Sequence, residues 1–146
     1  MKAAKIILMA LIAAALWLGA GAEGTNGERE AKMRMRIDGT LVNVEWEDNA
    51  SVEALRVLAK DGLEVQMSMY GGFEQVGSLG TRLPRNDQQT RTRAGDIVLY
   101  SGDQIVVFYG ENAWAYTRLG HIVDRSAADM ATLLGHGDVT ITIDME

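Results

Sequence analysis

The sequence predicts a mainly β protein, a small closed antiparallel barrel of about eight strands with two capping helices. Short apolar stretches recur along the chain, and several alternate apolar with polar residues, which is the period of a half-buried strand. Tight turns rich in glycine join consecutive stretches, and such short connections favour antiparallel pairing. Strand-like stretches both open and end the domain, and pairing of the first with the last would remove the exposed sheet edges.

The composition fits one globular domain without disulfide bonds. The chain has 146 residues, of which 47% are hydrophobic and 23% are charged, and it has no cysteine. The lack of cysteine excludes a disulfide framework, a thiolate metal site and a cysteine nucleophile. The formal net charge of −6 argues against nucleic-acid binding, because that function uses a basic face.

The first 22 residues are typical of a secretory signal peptide. Lys2 and Lys5 lie before or at the start of an apolar run that spans residues 6–18. The small residues Ala20 and Ala22 flank Gly21 and form a cleavage site. A retained membrane anchor is the alternative, but the run is short beside the roughly 20 residues of a spanning helix. We therefore expect cleavage after Ala22, a secreted or periplasmic protein, and no stable membrane anchor afterwards.

The remainder divides into a tether and one domain. Residues 23–32 contain glycine, asparagine and charged residues and no apolar residue larger than alanine, which predicts a flexible tether. No internal repeat or second linker follows, so residues 33–146 are expected to form the barrel domain.

Alternation, turn signals and caps predict the order of elements within this domain. Asp38-Gly39 is a hairpin signal, residues 48–51 begin a helix that Gly62 ends, and Ser126 with Asp129 resembles a capping box. Residues 81–94 are expected to be a long polar loop. The predicted strands cover 33–37, 41–46, 63–69, 73–76, 97–100, 104–109, 114–122 and 139–145, and the second helix ends at Gly135.

This order of elements resembles the cyclophilin fold, and three stretches resemble the bacterial cyclophilin-like proteins more closely. The stretches are Met69-Tyr-Gly-Gly-Phe-Glu-Gln-Val-Gly77, Leu83-Pro-Arg-Asn-Asp87, and residues 94–120 with their Gly-Asp-Ile-Val-Leu-Tyr and Trp-Ala-Tyr-Thr-Arg-Leu-Gly segments. The resemblance implies an eight-stranded antiparallel barrel capped by two helices. It implies no established biochemical role.

The resemblance to authentic cyclophilins, which are prolyl isomerases, does not extend to their catalytic motif. Those enzymes have an arginine in a Phe-His-Arg strand and a Phe-Met-x-Gln-Gly-Gly-Asp-Phe segment, whereas the corresponding strand here, 65–69, has no arginine. No catalytic residue is carried over. We expect non-catalytic binding of a peptide or small ligand, with a divergent peptidyl-prolyl cis-trans isomerase as the alternative.

Aromatic residues beside an arginine mark the first candidate binding site. Trp114, Tyr116 and Arg118 alternate along one predicted strand and so share a face, and Tyr109 is the expected cross-strand neighbour. Stacking and charge-assisted hydrogen bonds could there hold an anionic, planar or peptide ligand. The alternative is a structural aromatic–arginine ladder on the barrel.

Tyr70 and Phe73 flank a glycine pair and are the other candidate ligand-binding residues. Adjacent glycines allow positive φ and close approach of a ligand to the backbone, so this segment could line a groove for an extended peptide. A bulge that bends a barrel strand is the alternative explanation.

Four arginines in the 81–94 segment form a candidate docking surface for an acidic partner or a phosphate-bearing surface. Arg82, Arg85, Arg91 and Arg93 stand against one acidic residue, Asp87, so the loop is positive on an acidic chain. The alternative is a solvated loop whose arginines pair with nearby carboxylates.

No motif points to a metal, a cofactor or an enzyme active site. His121 and His136 are the two histidines, and neither has a local partner at metal-ligand spacing. We expect no metal and no cofactor. The sequence allows a monomer without favouring one.

Overall fold

The computed structural model describes residues 31–146. The predicted signal peptide and residues 23–30 of the predicted tether lie outside the described residues. Residues Met33–Glu146 form one compact unit. Within the described part of the chain, no helix is long and apolar enough to cross a membrane.

Eleven strands and two helices make up this unit. The amino-terminal elements are β1 (Met33–Ile37), β2 (Thr40–Val42), β3 (Val44–Trp46), α1 (Ala50–Ala59), β4 (Leu63–Gln66), β5 (Ser68–Tyr70) and β6 (Glu74–Ser78). The carboxyl-terminal elements are β7 (Gln88–Thr92), β8 (Asp96–Tyr100), β9 (Gln104–Phe108), β10 (Asn112–Ile122), α2 (Ala127–Leu134) and β11 (Thr140–Met145).

The strands pair into two antiparallel sheets. One sheet has the order β3-β10-β8-β9-β6-β5, with β7 as a further partner of β10, and the other has the order β2-β1-β11-β4. The first strand of the domain pairs with the last, with Met35 opposite Ile143. The predicted pairing of first and last strands is therefore confirmed.

Two segments of the chain connect these sheets. Residues 40–46 pair with β1 through β2 and with β10 through β3, interrupted only at Asn43. Residues 63–70 pair with β11 through β4 and with β6 through β5, interrupted only at Met67. Counted as single strands, these two segments complete a ring of eight: 40–46, β1, β11, 63–70, β6, β9, β8 and β10. The mainly β barrel architecture with two helices is as predicted.

One hydrophobic core fills the space inside this ring. Met33, Met35 and Ile37 alternate with half-buried arginines along β1 and contribute to the core, as their period of two predicts. Helix α1 adds Val52 and Leu55, and helix α2 adds other apolar side chains. The helices therefore complete the same core rather than a separate layer.

Both helices begin where the sequence predicts, the first within residues 48–51 and the second at Ser126. The side chain of Asn49 accepts a hydrogen bond from the N–H of Val52 at the start of α1. At the start of α2, Ser126 and Asp129 exchange the two hydrogen bonds of a capping box. These local bonds satisfy backbone donors that would otherwise lack a partner.

Strands β8 and β9, at the centre of the larger sheet, are buried on both faces. Their inward side chains join the main core, while Val98, Val106 and Phe108 point outward and are buried in a second cluster with Tyr116. Phe73 and Val76 cover that cluster. Aromatic side chains therefore cover a patch of the outer barrel surface, and the candidate site lies there.

The prediction of a polar loop throughout residues 81–94 was wrong in one respect, because this segment contains strand β7. Strand β7 pairs with the amino-terminal half of β10, with Thr90 opposite Trp114. Its side chains are mostly exposed and polar, so no alternation of apolar residues marks it. Backbone pairing with a neighbouring strand, which sequence does not display, decides its conformation.

Candidate functional site

The outer aromatic patch surrounds a pocket of about 530 Å³, which we call the outer pocket. Its volume lies within the range of small-molecule sites. Five aromatic side chains line it: Tyr70, Phe73, Tyr100, Trp114 and Tyr116. Trp114 is 57% exposed and Tyr70 is also largely exposed, so much of the aromatic surface faces solvent.

Alternation along paired strands places these rings on one side of the sheet. Val98 lies opposite Arg118 and Val106 on its two neighbouring strands, so residues two positions from each share the outward face. Tyr100 and Tyr116 meet in this way, with ring centroids 6.1 Å apart. Trp114 follows on the same face of β10.

Phe108 forms the floor between the two halves of the aromatic patch. Its ring is fully buried and lies 5.7 Å from Tyr116, edge to face. On the other side it stacks on Phe73 at 6.5 Å, and Phe73 meets Tyr70 edge to face at 6.2 Å. These offset and T-shaped contacts are the favourable geometries for aromatic pairs.

The turn between β5 and β6 holds Phe73 in this position. Gly71 and Gly72 both have positive φ, at 67° and 75°, and a Cβ at Gly71 would overlap the Phe73 ring. The carbonyl oxygen of Phe73 accepts hydrogen bonds from the N–H groups of Tyr109 and Gly110 at 2.9 and 3.0 Å. The glycine pair therefore forms a hairpin turn, and the bulge alternative was wrong.

Glu74 places a carboxylate among these aromatic rings. It lines the outer pocket and is only 7% exposed. Burial raises the pKa of Glu74 to about 7, because desolvation disfavours the charged form. Among the described residues, none contributes a hydrogen bond or a positive charge that offsets this effect.

The phenol of Tyr116 lies near this carboxylate. Burial raises the pKa of Tyr116, and the charge of Glu74 raises it further. Asn112 donates a hydrogen bond to the Tyr116 hydroxyl oxygen at 2.8 Å, which partly opposes the shift. Asn112 and Gln104 are the uncharged polar side chains of the pocket besides the phenols.

The structure brings together four of the six predicted ligand-binding residues. Tyr70, Phe73, Trp114 and Tyr116 all line the outer pocket. Arg118 does not line it, because its guanidinium turns towards β8 and β7. There its Nη1 lies 3.3 Å from Asp96 Oδ2, and its Nη2 donates to the Arg91 carbonyl at 3.0 Å.

The prediction that Tyr109 is the cross-strand neighbour of these residues was wrong. Strand β9 pairs with β8 and β6 and not with β10, so adjacency along the chain does not produce pairing here. Tyr109 lies just after β9 and packs against the main core beside Gly135. Its hydroxyl group is buried and has no hydrogen-bond partner among the described residues.

A second, more polar cavity of about 760 Å³ lies beside the outer pocket. The start of α1, the 84–86 segment, β7 and β10 surround it, and Tyr116 borders both cavities. Its arginines are Arg85, Arg91 and Arg118, and no carboxylate of the described part of the chain lines it. It is therefore the positive counterpart of the outer pocket.

The four arginines predicted as a docking surface do not act as one group. Arg82 pairs with Asp103 and Arg85 pairs with Asp87, each at 3.2 Å. Arg91 and Arg93 are exposed on and just after β7. Half of the surface therefore fits the ion-pair alternative, and partner docking stays a prediction.

Sequence reasoning missed Glu74, Tyr100 and Phe108. Glu74 directly follows Phe73 at the end of the Gly71-Gly72 turn. This position next to a candidate ligand-binding residue is the signal that could have identified it. Tyr100 and Phe108 lie within predicted strands, but their outward direction emerges only from the strand order. Among the described residues, no three histidine or carboxylate side chains are grouped to hold a metal ion.

Comparisons with known proteins agree with this architecture. A family model described as the cyclophilin-like family matches residues 35–144. A comparison with curated proteins finds no match. Among solved structures, the chain is similar to the solution structure of a hypothetical protein from Archaeoglobus fulgidus, at 19% sequence identity and a TM-score of 0.57. That likeness covers 82% of this chain and 99% of the archaeal one, and it shows the fold alone.

The family match spans nearly all of the barrel, from β1 to β11. It agrees with the resemblance predicted from the three sequence stretches. The chain belongs to the cyclophilin-like family.

Proposed function

We propose that this protein is a non-catalytic binding protein whose outer pocket holds a small organic ligand or one side chain of a short peptide. The observation that carries the proposal is the convergence of Tyr70, Phe73, Trp114 and Tyr116 on one pocket. Pockets with mainly aromatic walls and a few convergent polar groups are typical of ligand sites.

The exposure of the rings supports binding rather than a purely structural ladder. A structural ladder buries its aromatic surface against neighbouring side chains, as Phe108 does. Trp114 and Tyr70 instead leave most of their surface in solvent. Covering those rings would be favourable by roughly 25 cal/mol for each Å² of apolar surface removed from water.

The proposal is tested by recording amide shifts of the isotope-labelled protein during titration with small aromatic and aliphatic compounds and proline-containing peptides. We expect shifts in residues 70–74 and 112–116. Trp114→Ala should weaken binding about tenfold, as removal of an aromatic anchor does. Leu41→Ala is the matched control, because Leu41 is a similarly exposed apolar residue on the other sheet.

Three results would contradict the proposal. Shifts confined to residues 49–51 and 82–93 would move binding to the polar cavity or the arginine segment. Accelerated cis/trans exchange of a bound peptide would instead establish a divergent prolyl isomerase. Equal effects of Trp114→Ala and Leu41→Ala would show that the outer pocket is not the site.

We also propose that the protein is exported with cleavage after Ala22, on the strength of its first 22 residues. Expression of the full sequence in a bacterial host, followed by mass spectrometry of the purified protein, should give Glu23 as the first residue. Ala22→Tyr should block cleavage, because signal peptidase requires small residues at that site. An intact Met1 in the cytosolic fraction would contradict export, and retention of the uncleaved chain in membranes would indicate an anchor.

A further inference from the structure

The outer pocket combines aromatic walls with a single charged group. Among residues 31–146, five aromatic side chains surround it, and Glu74 is the only charged residue that lines it. The polar cavity next to it has the opposite character, because the described residues that line it include three arginines and no carboxylate. The described charged side chains that line the two cavities are therefore opposite in sign.

Glu74 also lacks the partners that a buried carboxylate ordinarily has. Buried acidic side chains are normally paired with a cation or held by several hydrogen bonds. Within residues 31–146, the effect of burial on Glu74 is not offset by any such group. A carboxylate kept at 7% exposure without a counter-ion is a costly feature unless a ligand supplies the positive charge.

Aromatic faces next to a carboxylate bind organic cations through two additive attractions. The ring quadrupole attracts a cation over its face, most strongly for tryptophan. The carboxylate adds a direct charge interaction, which is strong because the site is partly desolvated. The acidic net charge of the whole chain further favours the approach of cations.

We propose that the outer pocket binds an organic ammonium cation, with Glu74 as its counter-ion and Trp114 and Tyr70 as its aromatic walls. This inference rests on the proposed ligand-binding function and names the class of ligand. Quaternary and tertiary ammonium groups fit best, because their diffuse charge loses little hydration in an aromatic site.

The raised pKa of Glu74 gives this binding a defined pH dependence. At a pH below about 7 the carboxyl group is mostly protonated and neutral, so the counter-ion is lost and cation affinity falls. The neighbouring side chains from the elements packed around Glu74 carry no other carboxylate, lysine, arginine or histidine into the pocket. The other titratable groups among the described residues that line the pocket are the phenols Tyr70, Tyr100 and Tyr116.

The test compares choline chloride with 3,3-dimethylbutan-1-ol, the uncharged carbon analogue of choline, at constant ionic strength. Calorimetry or amide shifts at about pH 8 should show that choline binds about tenfold more tightly than its analogue. Lowering the pH to about 5.5 should reduce that preference to the part that the aromatic rings supply, since Glu74 is then protonated.

Two variants separate the carboxylate from general surface charge. Glu74→Gln should weaken choline binding about tenfold and should leave the affinity for the neutral analogue unchanged. Glu64→Gln removes the same charge from an exposed position on the other sheet and should leave both affinities unchanged. Trp114→Leu should weaken choline binding more than binding of the analogue.

The outcomes distinguish this inference from the function on which it rests. Equal affinity for both probes, with loss of both in Trp114→Leu, would overturn the cation inference and leave the ligand-binding function supported. Failure of choline to bind, or its unchanged affinity in Glu74→Gln, would also overturn the cation inference. The ligand-binding function is then decided by the separate compound and peptide titration.

Discussion

The side-chain amide of Gln75 donates a hydrogen bond to the carbonyl oxygen of Leu134 at 2.8 Å. Gln75 is fully buried on β6, and Leu134 is the last residue of α2. The same nitrogen donates to the Gly137 carbonyl at 2.7 Å, and its amide oxygen accepts from the N–H of Val139. One side chain therefore fixes the helix end and the start of the last strand to the barrel.

Replacement of this amide should destabilise the barrel. Gln75→Leu keeps the volume but leaves the carbonyls of Leu134 and Gly137 without their donor, so we expect a loss of about 2–3 kcal/mol in the free energy of unfolding. Gln66→Leu, on an exposed side chain, is the control and should change stability by less than about 1 kcal/mol. Urea denaturation measures both, and equal losses would disprove the bridging role.

Asp96 should be a second determinant of stability. Its buried carboxylate contacts His121 Nδ1 at 2.8 Å and Arg118 at 3.3 Å and accepts a hydrogen bond from the N–H of Arg93. Asp96→Asn removes the charge from this network and should cost about 2–4 kcal/mol. Asp103→Asn removes an exposed partner of Arg82 and should cost less than about 1 kcal/mol. Chemical denaturation that ranks the two variants the other way would contradict this assignment.

The two glycines of the β5–β6 turn should differ in their tolerance of alanine. Both have positive φ. A Cβ added at Gly71 would overlap the Phe73 ring, whereas a Cβ added at Gly72 would have no atom within 4 Å. Gly72→Ala should therefore cost about 1 kcal/mol. Gly71→Ala should cost about 2–4 kcal/mol and displace Phe73. Thermal unfolding and the aromatic resonances of Phe73 test this, and equal costs would show that the overlap is relieved without consequence.

Glu74 should make the protein less stable as the pH rises. Its folded pKa of about 7 exceeds the ordinary value of 4.5, so the folded state holds a proton that the unfolded state releases between these values. The free energy of unfolding from this group is therefore greatest below about pH 4.5 and falls until about pH 7, by roughly 3 kcal/mol in all.

The difference between Glu74→Gln and the unmodified protein isolates this contribution. At about pH 8 Glu74→Gln should be more stable by about 2–3 kcal/mol, and the difference should vanish near pH 4.5. Glu64→Gln should show no such trend, because Glu64 is exposed. Denaturation at several pH values measures the difference, and a gain that does not change with pH would exclude titration of Glu74 as its cause.

Local sequence signals determined the elements of this protein. The alternation in residues 33–37, the cap at Asn49 and the box of Ser126 and Asp129 all act within a few residues of the chain, so their structures could be predicted. The pairing of the first strand with the last followed from the need to remove sheet edges. Strand β7 was not predicted because its polar side chains carry no periodic signal and its paired residues on β10 lie 20 to 28 positions away in sequence.

The tertiary structure alone decided the composition of the site. Tyr70, Glu74 and Trp114 come from separate strands, and only the order β10-β8-β9-β6-β5 brings them to one outer face. The same order separates Tyr109 from Trp114, although only four residues lie between them in sequence. A sequence displays which residues share a face of one strand, but the partners across the sheet depend on long-range pairing that no local pattern records.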